Sequence, residues 1–118
     1  MSAPLYPDET GLPMTVWVAP RGQARRDARI VVNGVRGPRM TLVLPVVVAV
    51  AAVPRLISGK LPLVYERMVL AWVALNAEAL ADFWAGAVGV VGLGRRLRAL
   101  PRTEGRRLAR DARAEAQL

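Results

Sequence analysis

Two short segments of the chain carry apolar side chains at every second residue, which is the pattern of a half-buried β-strand. In Met-Thr-Val-Trp-Val-Ala, residues 14–19, both valines fall on one face and Trp17 on the other. Residues 28–33, Ala-Arg-Ile-Val-Val-Asn, alternate in the same way. The pattern predicts two strands joined by a polar, Arg-rich connection.

A third strand is predicted within the most apolar run of the chain, residues 42–57. Residues 41–54 are uncharged, but a membrane-spanning helix needs about 20 such residues. Valine dominates the run, and its branched side chain suits a pleated sheet. We predict a strand over about 46–53, with Pro45 at its end or in a bulge because proline cannot donate to a sheet. Turn residues separate it from the second strand, so an antiparallel meander of about three strands is the simplest arrangement.

The hydrophobic period lengthens to three or four residues after Lys60. Apolar side chains from Val64 to Phe83 form one stripe, while Pro62 suits the first turn of a helix. Gly86 is a suitable stop. The sequence therefore predicts one long helix of about two dozen residues, packed on one face of the sheet.

The segment 68–94 is long enough to cross a membrane as a helix, but Glu78 and Asp82 lie near its middle. Each carboxylate would cost about 2.5 kcal/mol or more at the centre of a bilayer. This cost favours a helix of a soluble domain, so no membrane span is expected. The first ten residues also lack the basic and apolar parts of a secretory signal, and we expect a cytoplasmic protein.

The predicted organisation is a single α+β domain over 14–100, preceded by a flexible segment over 1–13. Residues 87–94 contain three glycines among eight residues, and 86–94 is left as either helix or loop. Residues 101–118 form a basic tail that is helical or disordered, because Leu108 is its only large apolar residue before Leu118.

The composition excludes several kinds of chemistry. The chain contains no Cys and no His, which removes disulfides, zinc sites of the usual Cys/His kind and His-based catalytic triads. Ser58-Gly59-Lys60 lacks both the preceding Gly and the following Ser or Thr of a phosphate-binding loop. We therefore predict a non-enzymatic protein without a catalytic, metal or cofactor site.

The net charge of +8 is concentrated in two segments. Residues 21–39 and residues 95–118 each carry +5, whereas residues 40–94 are neutral. Clustered guanidinium groups can bind phosphates. A solvated surface in a genome that favours Arg codons explains the same composition, including sixteen Arg against one Lys. The candidate contacts to a nucleic acid or another partner are Arg21, Arg25, Arg26, Arg29, Arg106, Arg110, Arg113 and Trp17.

Three segments together resemble small bacterial proteins of domain-of-unknown-function family 4160. They are Arg-Ile-Val-Val-Asn-Gly-Val-Arg-Gly-Pro-Arg-Met (29–40), Pro-Arg-Leu-Ile-Ser-Gly-Lys-Leu (54–61) and Trp-Val-Ala-Leu-Asn-Ala-Glu-Ala-Leu-Ala-Asp-Phe-Trp (72–84). The resemblance covers residues 29–88 and implies a compact α+β module found beside a partner protein in a toxin–antitoxin-like arrangement. The His-x-His strand of many relatives is absent, so an activity that depends on it is not expected here.

Three hypotheses about function follow. The first is an interaction module with an unknown protein partner, as one component of a toxin–antitoxin-like pair. The alternative is a nucleic-acid-binding protein that uses the Arg-rich segments. A weaker alternative is a peripheral or integral membrane protein, although the tail lacks bulky apolar anchors. The oligomeric state is left open.

Overall fold

A computed structural model describes residues 3–117. These residues form an antiparallel sheet with helices packed on one of its faces, so the α+β class and the meander are confirmed. Neighbouring strands in the chain are also neighbours in the sheet. The strands are β1 (Ala3–Leu5), β2 (Val16–Val18), β3 (Arg29–Val32), β4 (Val46–Ala49) and β5 (Arg55–Ser58).

The helical layer follows mainly after the sheet in the chain. Short connections between the strands supply α1 and one 3₁₀ turn, Arg25–Asp27. The helices are α1 (Pro7–Thr10), α2 (Leu63–Leu75), α3 (Ala77–Ala85), α4 (Val90–Arg96) and α5 (Arg102–Ala116).

The described sheet has five strands, where about three were predicted. The segment 1–13 was predicted to be flexible, but β1 pairs with β2 and α1 follows it; residues 1–2 lie outside the described residues. Proline is tolerated in β1 because this strand lies at the edge of the sheet. The strand predicted over 46–53 ends at Ala49, and a turn leads to β5, whose adjacent Leu56 and Ile57 interrupt the alternation of a half-buried strand.

The two faces of the sheet have different environments. Val16, Val32 and Val46 pair across three strands and are fully buried beneath the helices. Their neighbours on the opposite face, including Trp17 and Val31, are only half-buried. We call these the inner and outer faces of the sheet, and the core lies entirely on the inner face.

The single long helix predicted after Pro62 is wrong, because the chain bends by 71° between α2 and α3. The side chain of Asn76 joins this bend to the backbone of Arg98, in the connection after α4. Its Nδ2 donates to the carbonyl oxygens of Trp72 and Arg98, both at 2.9 Å, and its Oδ1 accepts from the Arg98 N–H at 2.7 Å. Asn competes with the backbone in this way and disfavours a continuous helix. Gly86, in a left-handed conformation, ends α3 as predicted.

The C-terminal segment, predicted to be helical or disordered, forms α5 and packs against α2. Its packing surface combines Leu108 with small residues, which a search for large apolar side chains overlooks. Ala112 is 1% exposed, and a Cβ atom added to Gly105 would lie 3.4 Å from Met68 Cε. Small side chains allow two helices to approach closely, so α5 is part of the folded unit. Residue 118 lies outside the described residues.

Within residues 3–117, no single helix has both the length and the apolar character needed to cross a membrane. The pair α2 and α3 meets those criteria only when both helices are taken together, across their 71° bend.

We expect Asn76→Ala to lower the free energy of unfolding by about 2–4 kcal/mol, because it leaves the backbone N–H and C=O of Arg98 without their partner. Urea denaturation followed by tryptophan fluorescence measures this change. The near-isosteric Asn76→Asp should also destabilise, since it places a second oxygen against two carbonyl oxygens. Wild-type stability of the Asp variant would show that the side-chain amide does not hold the bend.

Paired substitutions test the packing of α5. Ala112→Arg inserts a long side chain into a filled interface and should cost about 1–3 kcal/mol. Ala114→Arg changes an exposed position of the same helix and should stay within about 0.5 kcal/mol of wild type. Equal thermal midpoints for the two variants would mean that α5 does not pack on the domain.

Candidate functional site

One carboxylate joins two basic segments that are far apart in the sequence. Asp82, on α3, forms two ion pairs. Its Oδ1 contacts Arg25, and its Oδ2 lies 2.7 Å from Nη1 of Arg96. Arg25 belongs to the 3₁₀ turn before β3, and Arg96 is the last residue of α4. Because Asp82 contacts both, the two basic segments lie on the same side of α3.

A cleft lies along this side of α3. It consists of two adjoining cavities of about 640 and 400 Å³ that share Ala52, Ala77 and Glu78 in their walls. We call it the basic cleft because arginine is the most frequent charged residue in its walls. The arginines are Arg25 and Arg26 in the smaller cavity, and Arg95, Arg96 and Arg98 in the larger one.

The charges of the basic cleft are only partly balanced. Asp82 neutralises Arg25 and Arg96 in part. In residues 3–117, no carboxylate lies within 4.0 Å of the guanidinium groups of Arg26, Arg95 or Arg98. Glu78, in the first turn of α3, lines both cavities and contributes one negative charge. The arrangement suits an anion, and guanidinium groups bind phosphate through two parallel hydrogen bonds.

Trp17 and Arg29 lie on the outer face of the sheet, away from the basic cleft. Trp17 pairs with Val31 across β2 and β3, and Arg29 is two residues before Val31 on the same face. Trp17 is half-buried and Arg29 is exposed. Trp17 and Arg29 therefore share the outer face of the sheet.

Arg21 lies in an exposed loop that leads to Arg25 and Arg26. Its backbone N–H donates to the carbonyl oxygen of Trp84 at 2.9 Å, which fixes the loop against the end of α3. The loop brings Arg25 and Arg26 to the basic cleft and leaves Arg21 outside its walls.

The three tail arginines of the prediction share one exposed side of α5. Arg106, Arg110 and Arg113 follow one another at intervals of four and three residues, as neighbours on a helix surface do. No carboxylate of the described chain lies within 4.0 Å of their guanidinium groups. These three residues form a positive stripe, which is separate from the basic cleft.

Arg107, by contrast, is engaged in ion pairs within α5. It contacts Glu104 and, at 3.2 Å, Asp111. Its hydrogen bond to Glu104 lowers the pKa of that carboxyl. Because the folded state then binds the proton less tightly than the unfolded chain, the small stabilisation from this exposed pair exists at neutral pH and is lost as the pH falls.

Three arginines of the basic cleft were missed by the sequence prediction: Arg95, Arg96 and Arg98. The sequence feature that could have revealed them is the cluster Arg-Arg-Leu-Arg at 95–98, which directly follows the glycine-rich segment. Only the topology shows that this cluster faces the arginines at 25–26. Within the described residues, no group of three Asp or Glu side chains is placed to hold a metal ion.

Comparison with known proteins gives no match: no family model, no curated protein and no solved structure is significantly similar to the chain. The resemblance to domain-of-unknown-function family 4160 stays a prediction.

We expect Asp82→Asn to lower the free energy of unfolding by about 0.5–1.5 kcal/mol, because it weakens two partly exposed ion pairs. The loss should shrink in about 1 M salt, where screening acts over about 3 Å. Glu78→Gln is the matched control, since Glu78 is exposed and forms no ion pair within residues 3–117. Equal losses for both variants, measured by thermal unfolding at two salt concentrations, would rule out a specific role for Asp82.

Proposed function

We propose that this protein is a non-enzymatic nucleic-acid-binding module whose basic cleft takes the phosphate groups of the backbone. The observation that carries the proposal is the convergence of residues 25–26 and 95–98 on one cleft. Three arginines there lack an acidic partner within the described chain, and phosphate is an anion that guanidinium groups bind well.

A polymer of phosphates accounts for the wider charge distribution better than a small anion does. Exposed arginines without an acidic partner in residues 3–117 occur in the basic cleft, on the outer face of the sheet and along α5. A single small anion in the cleft would leave the arginines on the outer face of the sheet and along α5 without a ligand. Contacts of this kind position a protein on a nucleic acid without reading its bases.

A protein partner is the second candidate, and the loop between β3 and β4 favours it. Met40 and Leu44 are 77% and 71% exposed there, which is unusual for large apolar side chains. The side chain of Asn33 holds the loop in place by accepting from the Val43 N–H at 2.7 Å. This candidate retains the interaction-module hypothesis, including the toxin–antitoxin-like pairing.

Charge reversal in the basic cleft tests the proposal. Arg95→Glu combined with Arg98→Glu should weaken binding of a fluorescently labelled duplex DNA by about tenfold or more, since repulsion replaces two attractive interactions with phosphate. The slope of log affinity against log salt should flatten by about 0.9 for each phosphate that the variant no longer neutralises. Fluorescence anisotropy over a salt series measures both quantities.

The matched control is Arg36→Glu combined with Arg39→Glu. It makes the same charge change on the β3–β4 connection, at the end of the meander opposite the loops that border the cleft. A smaller loss of affinity is expected for this control. Equal effects of the two double variants would show that binding depends only on the net charge of the protein and not on the basic cleft. Absence of binding by the wild-type protein to duplex and to single-stranded DNA alike, at about 50 mM salt, would refute the proposal and leave the protein partner.

A further inference from the structure

The outer face of the sheet carries a row of apolar side chains that crosses four strands. The strand register places Pro4 beside Trp17, Trp17 beside Val31, and Val31 beside Val47. Residues paired in this way lie on the same face with adjacent Cβ atoms. Trp17 is the only aromatic residue in the five described strands, and small or branched side chains flank it on both sides.

A second row on the same face carries positive charge. Arg29 pairs with Ala49, and Ala49 pairs with Arg55. Both arginines are exposed, and two strand spacings put their backbones about 10 Å apart. The guanidinium groups therefore flank a small residue, one row away from Val31 and Val47.

No acidic residue occurs in the five described strands. Arg29 donates from Nε to the Asp27 carbonyl oxygen at 3.4 Å, an interaction that leaves its charge unneutralised. The face thus combines one aromatic ring, a row of apolar side chains and two cations. It is complementary to a ligand that has flat apolar groups joined by anionic ones.

The positive row lies at the end of the sheet that also borders the basic cleft. Arg29 is two residues after the 3₁₀ turn that contains Arg25 and Arg26. Arg55 follows the β4–β5 turn, in which Ala52 lines both cavities. An anionic chain held in the basic cleft can therefore continue round this end of the sheet onto the outer face.

We infer that the outer face of the sheet is a stacking platform for single-stranded nucleic acid, with Trp17 against a base and Arg29 and Arg55 on phosphates. The inference rests on the proposed function and deepens it, because it selects the form of nucleic acid. Bases expose their flat faces to a tryptophan ring only when they are unpaired, and stacking of this kind is tolerant of sequence. A duplex keeps its bases stacked internally and offers this face phosphates alone.

Binding of a labelled oligothymidylate of about 16 nucleotides, compared with a duplex of the same length, tests the inference. The single strand should bind more tightly than the duplex. Trp17→Leu should weaken binding of the single strand by about 5- to 150-fold, which corresponds to the 1–3 kcal/mol of one stacked base. Trp17→Phe should retain most of the affinity, and neither variant should change duplex binding or the salt slope.

Intrinsic fluorescence provides a direct readout of the ring. Trp72 and Trp84 are 1% and 7% exposed, so a bound base has access mainly to Trp17. Oligothymidylate should quench the emission of the wild-type protein, and the quenching should disappear in Trp17→Phe. Circular dichroism and thermal unfolding confirm that each variant is folded.

The arginines of the platform are tested by Arg29→Ala combined with Arg55→Ala, with Arg36→Ala combined with Arg39→Ala as the control of equal charge. Only the first pair should flatten the salt slope for the single strand, by about 0.7 for each phosphate released.

Different failures separate the two proposals. Equal binding of single strand and duplex, both insensitive to Trp17→Leu but weakened by charge reversal in the basic cleft, overturns the platform and leaves the proposed function standing. Absence of binding to either form overturns both and assigns the apolar row to a protein partner.

Discussion

The hydrogen bonds between the side chain of Asn76 and the backbone of Arg98 hold the helical layer in its observed arrangement. They stabilise the bend between α2 and α3, which lets α3 bury Phe83 and Trp84 in the core at an angle that a straight helix would not allow. They also fix the connection after α4 against this bend. Two residues further on, the Leu100 N–H donates to the carbonyl oxygen of Thr10 at 2.8 Å, so the same connection reaches α1. α5 begins from this fixed point, and its packing along α2 follows.

The basic cleft is a consequence of that arrangement combined with one carboxylate. The bend exposes the first residues of α3, and the fixed connection places Arg95 and Arg98 beside them. Asp82 then draws the 3₁₀ turn and the end of α4 toward α3. Asp82 and Glu78 cannot neutralise five arginines, so the cleft keeps a surplus of positive charge. The fold therefore brings positive charges that are far apart in the sequence together at one end of the sheet.

The sheet has one face for stability and one available for contact. On the inner face, valines at alternate positions pack beneath the helices, because branched side chains fit a pleated surface. On the outer face the same alternation places Trp17, Arg29 and Arg55, none of which the helical layer covers. A meander that has helices on only one side leaves its other face uncovered, because no element packs on it. The aromatic ring and the cations occupy the only broad surface of the sheet that the described chain does not bury.

The sequence alone determined the α+β class, the meander, the three central strands and the helical character after Pro62, because period-two and period-three-to-four patterns are local. It also identified the basic segments and Trp17.

Tertiary structure decided the rest. β1 contains a proline and β5 places Leu56 and Ile57 side by side, so neither alternates, and both exist through pairing with a neighbour. The break at Asn76 depends on Arg98, which is 22 residues away. The packing of α5 depends on Gly105 and Ala112, whose small size has meaning only against a facing helix. The meeting of residues 25–26 with 95–98 is likewise invisible in a linear chain, since Asp82 contacts both segments only after the chain has folded.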